Sequence, residues 1–200
     1  MNCFVFMDKK TEVCPQCQYF QVDDYLSTTL KPQVLLKKQY YVGRILGQGG
    51  FGITYLGYDK QMKRKVAIKE YFPQQLSKRD PHKSTIIADK GEKEELFNEG
   101  KERFIREAQL LFEFHHPNII KVVNLFSAMG TVYFVMEYLE GQNLREFVSN
   151  QGVLTFKQAE TIFTPLLDAL NLIHQSKCFH RDIKPSNIYL TKDHKPILLD

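Results

Sequence analysis

The sequence predicts an α+β fold: a five-stranded antiparallel sheet with one main helix, followed by the first part of a mainly helical lobe. Three observations predict it. Short runs enriched in β-branched and aromatic residues, separated by Gly or charged turns, cluster between Tyr40 and Leu139. One long stretch of helical apolar spacing interrupts them. After Leu139 helical spacing takes over, and two small strands close the chain.

In order, "YYVGRILG", "GITYLGYD" and "RKVAIKEYF" read as the first three strands. "PQQLSKRDPHKSTIIADKGEKEE" is polar, punctuated by Pro and Gly, and reads as a loop. In "EKEELFNEGKERFIREAQLLFEF", Leu96, Phe97, Phe104, Ile105, Ala108, Leu111 and Phe112 fall near helical spacing. Gly100 there predicts a break between a short helix and a longer one. "NIIKVVNLFSAMGTVYFVMEYL" supplies two more strands, joined as a hairpin at Ala128-Met129-Gly130. "NLREFVSN" and "TFKQAETIFTPLLDALNLIHQ" are helical. In the second, Ala159, Ile162, Phe163, Leu166, Leu167, Leu170 and Ile173 form a broad buried stripe. "NIYLT" and "KPILLD" are the closing strands. Residues 1–38 stand apart as an N-terminal segment, 39–138 form the sheet-bearing lobe, and 139–200 form a partial helical lobe.

Composition narrows the function. Hydrophobic residues at 43% and charged residues at 25% suit a soluble globular protein. A formal charge of +4, with both signs interspersed, lacks the basic stripe of a nucleic-acid binder, so that class is excluded. No run of about eighteen apolar residues encodes a membrane span. The start lacks a signal-peptide core and cleavage site. The 4 cysteines make no disulfide framework at this length, which fits a reducing cytoplasm. Cys14 and Cys17, in "CPQC", have the knuckle spacing of a zinc site, and Cys3 offers a third ligand. A tetrahedral site needs a fourth. Stray surface thiols and a degenerate zinc ribbon both fit these residues.

"GQGGFG" (Gly47, Gln48, Gly49, Gly50, Phe51, Gly52) matches G-x-G-x-x-G. A dinucleotide-binding turn would need a helix next. Here "ITYLGY" follows, so the glycines bend a hairpin whose backbone N–H groups can approach phosphates closely. In "VAIKE", alternation puts Val66 and Ile68 on one face and Ala67 and Lys69 on the other. With that second face over a nucleotide, Ala67 leaves room for a flat base and Lys69 reaches phosphate oxygens. Glu107, on the long helix, is the candidate anion to hold Lys69. In "FHRDIKPSNI", Asp182 and Asn187 flank a tight loop broken by Pro185. Phosphoryl transfer needs a carboxylate beside the attacking hydroxyl, a cation near the moving group and oxygen ligands for Mg²⁺. Asp182, Lys184 and Asn187 supply these in turn.

In this order and spacing the chain resembles the eukaryotic-type serine/threonine protein kinases: a Gly-rich loop, V-A-I-K, a helix glutamate, H-R-D-x-K-x-x-N and a final Asp. Lys184, two residues after Asp182, is similar to the serine/threonine rather than the tyrosine branch. "VAIKEYFP" and the long loop after it resemble a bacterial group that often opens with a cysteine-knuckle segment. The resemblance implies that Leu46, Gly47 to Gly52, Thr54, Ala67, Lys69, Met136, Glu137, Leu139 and Tyr189 bind ATP. Met136 takes the gatekeeper position. It implies that Asn187 and Asp200 bind Mg²⁺, and that Asp182, Lys184, Lys69 and Glu107 are catalytic. The implied activity is phosphorylation of Ser/Thr hydroxyls on protein substrates. Thr54 and Tyr189 depart from the apolar residues the family places against adenine.

Phe-Gly, an activation segment and the later helices do not follow Asp200. Leu166, Leu170 and Ile173 are therefore expected to face water, and the chain reads as a truncated kinase domain. The rival readings are an inactive nucleotide-binding or partner-binding pseudokinase, and a zinc-ribbon interaction module with a kinase-like passenger.

Overall fold

A computed structural model describes Phe4 and residues 28–199. The elements run β1 (Leu35–Leu36), β2 (Tyr40–Gly49), β3 (Gly52–Asp59), β4 (Arg64–Tyr71), β5 (Ser77–Arg79), β6 (Ile86–Ala88) and α1 (Glu92–Glu113). After α1 come β7 (Val122–Ala128), β8 (Thr131–Glu137), β9 (Gly141–Asn143), α2 (Leu144–Gln151) and α3 (Phe156–Gln175). A 3-10 turn at Pro185–Asn187, β10 (Ile188–Thr191) and β11 (Pro196–Leu198) complete it. Two compact units result: the chain through Ala108 with Val123–Tyr138, and Gln109–Val122 with Leu139 onward.

In the first unit the five expected strands form one sheet, ordered β2-β3-β4-β8-β7, and the two-residue β1 extends it beside β2. Met129 and Gly130 both take positive φ, 47° and 75°, which turns β7 tightly into β8. Alternation along β4 divides its side chains between two faces. Tyr71 meets Phe97 and Phe104 of α1 at ring distances of 5.2 and 5.5 Å, and Phe104 meets Phe134 of β8 at 4.9 Å. On another flank, Tyr40 stacks on Phe126, and Phe126 on Tyr133.

Gly100 does not break the helix: α1 is continuous over 22 residues. A Cβ at position 100 would overlap the Tyr71 hydroxyl, which donates to the Phe97 carbonyl at 3.0 Å. The glycine makes room for a neighbour rather than ending an element.

The segment read as a loop contains the β5–β6 hairpin. Its Arg79 is buried and meets Glu70 of β4, which is 0% exposed, at 2.5 Å. Tyr133 and Tyr55 donate to the two oxygens of the same carboxylate at 2.6 and 3.0 Å. The remaining Arg79 nitrogens donate to the carbonyls of Thr28 and Ser84.

In the second unit, α2 and α3 each start with a capping box, Asn143 with Glu146 and Thr155 with Gln158. β11, β10 and β9 form a small sheet. The Asn118–Ile120 segment lies along β11, with Ile120 N–H donating to Leu198 O and Leu198 N–H to Asn118 O, both at 2.8 Å. Helix α3 packs on β11 and buries Ile162, Leu166, Ala169 and Ile173. Leu166 and Ile173 are thus covered and Leu170 is half-buried, contrary to expectation, because β11 supplies an apolar partner. The large apolar residues of α3 that do meet solvent are Phe156, Phe163 and Leu167, at 85%, 41% and 63% exposure.

Candidate active site

The glycine-rich segment is the β2–β3 hairpin. Gly47 lies opposite Thr54, Gln48 opposite Ile53 and Gly49 opposite Gly52, which leaves Gly50 and Phe51 at the tip. A Cβ at Gly47, Gly49 or Gly50 would meet nothing within 4 Å, so this backbone is open on its flank. Gly52 differs: a Cβ there would strike the backbone carbonyl of Glu70 on β4. Close strand approach demands that one glycine, whereas the other three leave the flank of the hairpin without side-chain bulk. Phe51 caps the tip at 79% exposure, and Leu46 is exposed at the edge.

Ala67 pairs with Met136, and both are buried; Val66 pairs with Glu137 at the end of β8. Thr54 lies opposite Lys69. The Lys69 ammonium donates to Glu107 Oε1 of α1 at 3.0 Å and sits 5.2 Å from the Phe134 ring centroid. The two side chains are 18% and 39% exposed, so the pair is half-sheltered and accessible. The structure thereby brings together the lysine and glutamate that the sequence paired across 38 positions.

In the second unit, the loop before the 3-10 turn places Arg181 at φ 61°, a strained conformation for a side-chain-bearing residue. Beside it, Asp182 is gripped by two donors. Lys184 Nζ lies 2.7 Å from Asp182 Oδ2, and the Asn187 amide nitrogen reaches the same oxygen at 2.9 Å and the Asp182 carbonyl at 3.0 Å. The Lys184 hydrogen bond, with the Asn187 bond beside it, holds the Asp182 pKa below the usual carboxylate value. Sequence reasoning gave Lys184 a phosphate; here its partner is Asp182 itself. Asn187 is buried, and its backbone carbonyl accepts from Leu199 N–H at 3.0 Å, which ties the last strand to the loop. Both ring nitrogens of His180 are buried with no hydrogen-bond partner among the described residues. Tyr189 donates to the Leu139 carbonyl at 3.2 Å.

Asp200, Cys3, Cys14 and Cys17 lie outside the described residues. Among the described residues no group of three or more His, Cys, Asp or Glu is arranged to hold a metal. No described helix is long and apolar enough to cross a membrane. Sequence reasoning missed the sealed cluster of Glu70, Arg79, Tyr55 and Tyr133. Its one signal was a charge, Glu70, directly after Lys69 and between the apolar positions Ile68 and Tyr71 of β4.

The sequence profile described as "Protein kinase domain" matches residues 40–200. Serine/threonine-protein kinase C of Synechocystis sp. is 35% identical over 174 residues, 84% of this chain and 30% of that protein. Serine/threonine-protein kinase PrkC of Bacillus subtilis is 35% identical over 152 residues, 76% of this chain and 20% of that protein. The chain thus spans less than a third of these relatives. Among solved structures, PpkA-294 in its apo form superposes with a TM-score of 0.81 at 33% identity, covering 86% of this chain and 61% of that one. The M. tuberculosis PknI kinase domain does so with a TM-score of 0.65 at 26% identity, with the same coverage. The hairpin, the Lys69–Glu107 pair and the Asp182 loop thus occur in a chain that belongs to the protein kinase family, on its serine/threonine branch.

Proposed function

We propose that this chain binds ATP with Mg²⁺ and takes part in transferring the γ-phosphoryl group to Ser or Thr hydroxyls of protein substrates. The observation that carries the reading is Asp182. Its carboxylate is kept ionised by Lys184 and Asn187, on a loop exposed enough for a substrate hydroxyl to reach. ATP with Mg²⁺ supplies the phosphoryl group when bound.

The residues present fit that group. The hairpin at Gly47, Gly49 and Gly50 carries no side-chain bulk, so phosphate oxygens can approach its backbone closely. Lys69, held by Glu107, presents a fixed cation that orients phosphates. The small side chain of Ala67 beside Met136, the backbones of Glu137 and Leu139, and Leu46, Thr54 and Tyr189 are assigned to the adenosine moiety. The Asn187 amide nitrogen is committed to Asp182, which leaves its amide oxygen as the hard donor that Mg²⁺ prefers. Asp200 is assigned as the second ligand. Asp182 orients the acceptor hydroxyl and takes its proton, and Lys184 steadies the carboxylate meanwhile. Residues 39–138 and 139–200 are assigned as the two parts of the kinase unit, working in the cytoplasm. The zinc reading of Cys3, Cys14 and Cys17 rests on the CPQC spacing.

Incorporation of labelled phosphate from ATP into a Ser/Thr peptide mixture, by the protein containing this chain, tests the reading. Asp182→Asn and Lys69→Met are each expected to reduce incorporation by about 10²-fold or more. ATP binding with no Asp182-dependent transfer would replace the reading with the pseudokinase one.

A further inference from the structure

We propose that Glu70 and Arg79 are positioning residues for Lys69: their sealed ion pair fixes the strand that carries Lys69 and couples it, through the β5–β6 insertion, to the helix that carries Glu107. Lys69 and Glu70 are consecutive on β4, so their side chains project to opposite faces. A shift or twist of the strand at Glu70 moves Lys69 with it.

Three separate segments hold the Glu70 carboxylate: Tyr55 of β3, Tyr133 of β8 and Arg79 of β5. Arg79 extends the grip. Its Nε donates to Thr28 O at 3.0 Å, its Nη1 to Ser84 O at 2.9 Å, and its guanidinium lies 4.9 Å from the Phe72 ring centroid. The Tyr55 hydroxyl also accepts from Leu30 N–H at 3.1 Å. With partners on every side and no route to water, the network has one satisfied arrangement, and small displacements leave a buried polar atom unpaired.

The insertion meets α1 as well. Asp89 N–H donates to Leu76 O, and the Asp89 carboxylate pairs with Lys93 in the first turn of α1 at 3.0 Å. Ile86 N–H donates to Met129 O in the β7–β8 turn. The insertion therefore touches both elements that carry the Lys69–Glu107 pair: β4 at Glu70, on the face opposite Lys69, and α1 at its first turn.

Arg79→Lys tests this by keeping the charge while losing the three-directional fork. Tyr133→Phe is the milder second variant, removing one donor to Glu70. Folding is checked by thermal midpoint. The direct readout is the acylation rate of the Lys69 amine, followed by mass spectrometry, with exposed Lys157 as internal reference. In the folded variants Lys69 is expected to react about 3-fold faster or more relative to Lys157, because its position against Glu107 loosens. Binding of ATP should weaken by a similar factor while adenosine, which lacks the phosphates Lys69 would meet, binds as before. Unchanged Lys69 reactivity in folded Tyr133→Phe would overturn the proposal, even where the thermal midpoint falls. The binding arm alone rests on the nucleotide reading. If the unaltered protein binds no ATP that reading fails, while the acylation ratio still decides the positioning role.

Discussion

Lys69 and Glu70 are neighbours on one strand, and each is half of an ion pair, but the two pairs live in opposite surroundings. Lys69–Glu107 spans 3.0 Å with its side chains 18% and 39% exposed. Glu70–Arg79 spans 2.5 Å with both side chains at 2% or below. At the first, solvent screens the attraction and a ligand can compete for the ammonium. At the second, desolvation is repaid only because every charged atom has a hydrogen-bonding partner. Alternation along a single strand thus yields a cation available for chemistry on one face and a rigid fastening on the other. The lesson is that the exposure of an ion pair, more than its length, separates a working charge from a holding one.

Deleting one partner from each pair is the most severe test. Arg79→Leu leaves the Glu70 carboxylate buried with only tyrosine hydroxyls and is expected to cost about 3–5 kcal/mol of stability. The matching Lys69→Met change should cost under about 1 kcal/mol. Urea denaturation of the two variants measures the difference directly. Equal costs would erase the distinction between sealed and open pairs.

A smaller perturbation reaches the open pair without touching its charges. Gly100→Ala adds a Cβ against the Tyr71 hydroxyl, whose pKa burial pushes up to about 12 and whose bond to Phe97 O it must displace. Helix propensity alone favours alanine by about 1 kcal/mol. Loss of the buried hydrogen bond and displacement of α1 outweigh that gain, and a net destabilisation of about 1–2 kcal/mol is expected. Combining Gly100→Ala with Tyr71→Phe removes the obstructing atom and should recover much of the loss in the same denaturation assay.

These elements also show what the sequence makes legible. The strands around Lys69 and the Asp182–Asn187 loop follow from alternation and spacing, because both are local patterns. Gly100 misleads as a local signal: its reason is a tyrosine 29 positions earlier in the chain. The β5–β6 hairpin hides because "SKR" and "IIA" are too short to show a period, and their pairing comes from the sheet they fasten to. Arg79, set in "LSKRDPHK", has the look of a solvated charge, and its burial is decided by Glu70, Thr28 and Ser84 together. Leu166 and Ile173 were readable as apolar positions, but their cover, β11, is a three-residue strand at the far end of the chain. Tertiary partners of few residues leave little trace in composition.

The smallest expected effect concerns the third charge pair, Lys184–Asp182, whose side chains are 51% and 57% exposed. Lys184 and Asn187 hold the Asp182 pKa below its ordinary value, which is about 3.9 in an unfolded chain. A carboxylate depressed in the folded state stabilises it above the unfolded value, and the contribution is lost as pH falls through the folded value. The carboxylate therefore stays ionised to a lower pH than an unassisted aspartate. Lys184→Met should move the Asp182 midpoint back up toward about 3.9, as followed by NMR titration of its carboxyl carbon. Water already solvates this carboxylate, so the shift should be modest, and global stability near neutral pH should hardly change. A midpoint unmoved by Lys184→Met would transfer the grip on Asp182 to Asn187, and with it the task of keeping the base ionised.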